Sequence, residues 1–99
     1  MTRLADFDVG RTIYEAAVYY DDGDNPIAGE GPSTYATSER EAKAFAHKAL
    51  NGRRPEHKGG FWYATIRRGR VIDPIGDGRR NDHSFEPDPD WPRTLLADE

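Results

Sequence analysis

One segment of this chain, and only one, has helical apolar spacing: residues 37–50, TSEREAKAFAHKAL. Ala42, Phe45, Ala46, Ala49 and Leu50 recur at three- and four-residue intervals as a single stripe, while Glu39, Arg40, Lys43, His47 and Lys48 fill the rest of the circumference. Ser38 with Glu41 three places on predicts a capping box, Glu39 and Lys43 stand four apart in the favourable order, and Asn51-Gly52 supplies a left-handed stop. Alanine at three positions of the stripe lets a sheet approach the helix backbone closely. The segment therefore reads as a packing helix rather than a recognition helix.

A lone helix of this kind must bury its stripe on strands, and β-forming runs lie on both sides of it. Residues 12–20, TIYEAAVYY, alternate so that Tyr14, Ala16, Val18 and Tyr20 form the core face and Ile13, Glu15, Ala17 and Tyr19 the other. The turn formers of residues 21–26, DDGDNP, hand over to a weaker strand at 27–36, which Gly29, Gly31 and Pro32 mark as short, bulged or at an edge. After the helix comes a basic loop, RRPEHKGG, and then the strongest strand, FWYATIRR at 61–68; Gly69 is expected to turn it back as residues 70–73. Trp62, Ala64 and Ile66 should face the helix, leaving Phe61, Tyr63, Thr65 and Arg67 on the opposite side.

The expected fold is α+β, with a mixed or antiparallel sheet of about four strands in the order β-β-α-β-β and one helix packed on one face. Residues 1–10 read as a leader with Leu4 and Phe7 packing on the body, 11–75 as the domain, and 76–99 as an extended acidic tail anchored by Phe85, Trp91 and Leu95-Leu96. β-Grasp domains share that element order. The ten residues STYATSEREA, 33–42, resemble the strand-to-helix junction in the amino-terminal arm-binding domains of tyrosine recombinases, in which three strands precede a terminal helix. Here two strands precede the helix and two follow it, so the resemblance assigns no family.

Composition bounds the rest. A chain of 99 residues with 35% hydrophobic and 32% charged residues has a thin core, which implies that part of the chain is disordered or that a partner, a second copy included, completes the fold. With no cysteine there is no disulfide, no thiolate nucleophile and no Cys-based zinc site, which suits the cytoplasm. Asp6 and Asp8 interrupt the apolar run a signal peptide needs, and no stretch approaches a membrane span, so a soluble chain without membrane contact is expected. Charge is sorted: two basic and eight acidic residues in 1–39, eleven and four in 40–80, one and six in 81–99. The net charge of −4 thus conceals a basic middle between acidic ends.

The candidate binding surface combines Phe61, Tyr63 and Arg67 on the open face with Arg53, Arg54, Lys58, Arg68 and Arg70 around its ends. Aromatic and arginine side chains are enriched at protein interfaces, which points to a small non-catalytic binding or regulatory module acting through protein contacts, self-association included. The alternative is a nucleic-acid-binding module using residues 61–70, since bases stack on rings while cations meet phosphate. No enzyme is expected. His47, His57 and His83 have no ligand spacing, the contiguous Asp82-His83-Ser84 cannot align a hydrolase triad, and Asp21, Asp22, Asp24 and Asn25 misplace the glycine and glutamate of a calcium loop. Gly76-Asp77-Gly78-Arg79-Arg80 lacks the strand-loop-helix that cradles phosphate. No catalytic residue, metal, cofactor or small-molecule ligand is therefore assigned.

Overall fold

A computed structural model of the chain describes residues 3–91 and 94–97, the last four by their backbone and the Leu96 side chain. Strands β1 (Thr12–Asp21) and β2 (Gly29–Ala36) precede helix α1 (Glu39–Leu50); β3 (Phe61–Ile72), β4 (Ser84–Pro87) and β5 (Thr94–Ala97) follow it. All strand pairs are antiparallel, and the order across the sheet is β2, β1, β3, β4, with β5 also paired to β3. The fold is α+β, one antiparallel sheet with one helix across one face.

Helix α1 starts as its sequence dictates, with the Ser38 hydroxyl accepting the Glu41 amide at 3.1 Å. The reciprocal half of the capping box does not form; the Glu41 carboxylate accepts the Thr37 hydroxyl at 3.5 Å. Lys43 and Glu39 pair at 2.9 Å, and Gly52, at φ +79°, reverses the chain after the last turn. Ala42, Ala46 and Leu50 are buried against Ala16, Val18, Ala64 and Ile66, flanked by Phe45 and Trp62. The expected core faces of β1 and β3 are the ones that meet the helix.

Gly69 does not turn the chain. It lies inside β3, which runs unbroken from Phe61 to Ile72, so the hairpin expected at 61–73 is a single strand. The reason is a close approach from β4: a Cβ built on Gly69 would stand 2.6 Å from the Phe85 ring and collide with the Glu86 carbonyl. Glycine here clears a path for an aromatic ring.

The partners of β3 come from further along the chain. Ser84–Pro87 pairs with residues 69–72, and Thr94–Ala97 pairs with residues 63–66, so the sheet extends into the acidic segment beyond residue 75. The Asp88 amide bonds to the Arg68 carbonyl at 2.8 Å, and Trp91 meets Tyr14 edge-on with centroids 6.0 Å apart. Of the expected tail anchors, Phe85, Trp91 and Leu96 pack on the body, while the Leu95 side chain lies outside the described residues.

A second, smaller core sits on the face away from α1. A 3-10 turn at Leu4–Asp6 delivers Phe7 onto Ile13 and Val71, both fully buried, with Leu4, Tyr35 and Phe85 packed around them. Residues 4–7 thus belong to the body. Among the described residues, no helix is long and apolar enough to cross a membrane.

Gly69→Ala should destabilise the fold by about 2 kcal/mol, the usual scale of overpacking, because neither a strand carbonyl nor a ring packed on the second core can yield readily. Urea unfolding would show this as a lower midpoint at unchanged slope. An unaltered midpoint would contradict the ring-over-glycine contact.

Candidate partner-binding surface

Odd-numbered residues of β1 and β3 project from the face opposite α1, and that face changes character along its length. At one end it is closed by the Phe7, Ile13 and Val71 core. Phe85 reaches across Gly69 to bring its ring within 5.7 Å of Tyr35, roofing Ile13 from the far side of the sheet.

The middle is a polar lock. Tyr35, Glu15 and Arg67 lie in one row across β2, β1 and β3. Arg67 donates to Glu15 from Nε at 2.8 Å and from Nη2 at 2.6 Å, and its guanidinium carbon stands 5.4 Å from the Phe85 ring centroid. Burial raises the pKa of the Tyr35 hydroxyl, and the charge of Glu15, to which it hydrogen-bonds, adds to the rise. In the adjacent row, Ala17 and Thr65 are buried.

The other end is open and aromatic. Tyr19 stands opposite Tyr63 with ring centroids 5.8 Å apart, and Phe61 follows at 5.9 Å from Tyr63. Phe61 is 45% exposed and nearby Ile27 57%. The Tyr63 hydroxyl donates to the Pro26 carbonyl at 2.6 Å, which draws the β1–β2 turn against the rings. Asp21 opposes Phe61 in register and Glu30 opposes Tyr19. At the irregular step between Ala17 and Tyr19, a cleft of about 110 Å³ opens on this face, lined by Glu15, Tyr19, Glu30 and Ser33 among others.

The turn that edges the aromatic end holds its own acidic side chains in place. Asp21 accepts the Gly23 amide at 2.8 Å, and Asp22 accepts the amides of Asn25 and Asp24 at 2.7 and 2.9 Å. Those amides, Asn25 first, hold the Asp22 carboxyl below the usual carboxylate range. Among the described residues, no group of three or more histidine or carboxylate side chains is arranged to hold a metal ion.

Of the residues the sequence singles out, Phe61 and Tyr63 share this surface, and Arg53, Arg67, Arg68 and Arg70 do not join them. Arg67 is held by Glu15 in the middle of the face. Arg68 points to the other side, where it pairs with Asp88 and lies 5.9 Å from the Trp91 ring centroid. Arg53 bonds the Ala49 carbonyl at 2.7 Å and covers Trp62 at 4.7 Å, both on the helix side. Arg54 and Lys58 are exposed on the loop before β3, which hangs from Tyr20: its buried hydroxyl accepts the Glu56 and His57 amides at 2.8 Å each. Arg70 is exposed beside Glu86. Tyr19 and Glu30 are the members absent from the expected set. Tyr19 shares the parity of Ile13 and Glu15, which would have found it; Glu30 depends on the irregular β1–β2 register, which no local pattern reveals.

Comparison with protein-family models, curated proteins and solved structures finds no match to this chain.

The Arg68–Asp88 pair gives the fold an acid-sensitive joint. Arg68's hydrogen bond, then the Asp90 amide, depresses the Asp88 carboxyl, so the folded state binds that proton less readily than the unfolded chain. Its contribution is present above the ordinary carboxylate range, near pH 4, and is lost as pH falls through the depressed value. Asp88→Asn should therefore lower the melting temperature at pH 7 and lower it progressively less as the pH falls below the ordinary carboxylate range. An equal loss at every pH would show that the pair contributes no charge-dependent stability.

Proposed function

We propose that this chain is a small non-catalytic binding module that engages a protein partner through the aromatic end of its reverse sheet face. The observation that carries this is the row Tyr19, Tyr63 and Phe61, with Phe61 45% exposed, on a face that the chain's own Phe7, Phe85 and Arg67 cover elsewhere. Rigid aromatic side chains provide large contact area at little entropic cost, and such residues dominate interface energetics. The rings are pre-set by cross-strand pairing and by the Tyr63 hydrogen bond to Pro26, so little ordering is required when a partner arrives.

Nucleic acid suits this end less well. The residues that face the rings in register are Asp21 and Glu30, whereas Arg67 and Arg68 are already paired with carboxylates. A cytoplasmic setting fits a sequence without cysteine.

A photo-crosslinking amino acid at position 61 should capture a discrete protein in cells that express the chain. The same probe at Ala44, on the exposed face of α1, should capture none. Absence of any adduct at position 61, or identical adducts at both positions, would contradict the proposal.

A further inference from the structure

We infer that the aromatic end receives an arginine-bearing basic segment of a different protein, an inference that rests on the partner-binding reading above. Both halves of the reverse face set a carboxylate in register with an aromatic side chain, Glu15 with Tyr35 and Glu30 with Tyr19. In the closed half, Arg67 sits between the Glu15 carboxylate and the Phe85 ring. In the open half, Glu30 stands beside Tyr19, with Tyr63 and Phe61 next in line, and Glu30 has no ion pair among the described residues. An exposed carboxylate in register with a tyrosine, with no ion pair among the described residues, suits a cation from outside.

Shape and charge agree. The cleft of about 110 Å³ is lined by Tyr19, Glu30 and Ser33 among others, residue types that suit a flat cationic group. A guanidinium can stack on tyrosine and fork onto carboxylate together, which an ammonium cannot do. Asp21, Asp22 and Asp24 extend the acidic border along the turn, giving a basic segment a field to follow. Apolar side chains between its arginines would rest on Phe61 and Ile27.

The same border disfavours a second copy of this chain. Packing the patch on itself about a two-fold axis would set its carboxylates against their own duplicates, and like charges juxtaposed across an interface are costly.

The test is a nitrogen-15 NMR titration of the full chain with an end-blocked eight-residue peptide of alternating arginine and leucine. Its lysine and glutamate analogues serve as comparisons. The arginine peptide should shift the amides of Tyr19, Glu30, Gly31, Phe61 and Tyr63 selectively and more strongly than the lysine peptide, with shifts that fall as salt rises. Glu30→Lys should weaken it roughly fivefold. Asp24→Lys, further out on the turn, gives an independent reading of the border and should weaken it less. Unselective shifts, equal effects of the glutamate peptide, or full affinity in a folded Glu30→Lys variant would overturn the inference. So would a dimer in light scattering that Phe61→Ser dissociates. A partner crosslinked at position 61 through a segment without basic residues would also overturn it, while leaving the partner-binding reading intact.

Discussion

Strand β3 is hydrogen-bonded along both edges, and the molecule depends on that. One edge pairs with β1 from Asp21 opposite Phe61 to Thr12 opposite Arg70; the other takes β4 at one end and β5 at the other. A chain with so few apolar residues gains much of its order from a central ribbon with its backbone groups satisfied on either side. The condition for it is a residue at position 69 with no side chain, so that the Phe85 ring can come up against the strand. Through that ring, β4, β3, β1 and β2 are tied together over Ile13.

Closure of one half of the reverse face leaves the other half to serve a partner. Phe7 and Phe85 cover the end near Ile13, and the Tyr35, Glu15 and Arg67 row fixes the middle. Glu15 is only 14% exposed, so its carboxylate needs the guanidinium beside it, and Arg67 is therefore committed to the fold rather than to a ligand. Beyond this lock, Phe61 is 45% exposed. Tyr63 and Tyr19 continue the row in tilted ring contacts, held by the Tyr63 hydroxyl and by strand register and bordered by carboxylates.

Much of the architecture was legible in the sequence because it follows from local periodicity. The alanine stripe marked α1, and strict alternation assigned Trp62, Ala64 and Ile66 to the helix side and Tyr63 to the other. Gly69 was not legible: a glycine after FWYATIRR fits a turn as well as a close backbone approach, and the choice is made by Phe85, sixteen residues later. The acidic, proline-rich end reads as a tail by composition, yet four-residue strands need only Phe85 and Trp91 to dock them on a ribbon already formed. Charge counting gathered Arg67, Arg68 and Arg70 into one basic site, although consecutive strand positions point to opposite faces and Glu15 and Asp88 neutralise two of them.

The central claim is that the reverse face is closed at the Ile13 end and open at the Phe61 end within a single chain. Hydroxyl-radical footprinting read by mass spectrometry compares those ends directly, since rings of like intrinsic reactivity differ only in access to solvent. Rapid oxidation of Phe61 with slow oxidation of Phe7 and Phe85 is the predicted result. Comparable rates at all three, or protection of Phe61 with oxidation of Phe7, would contradict the account.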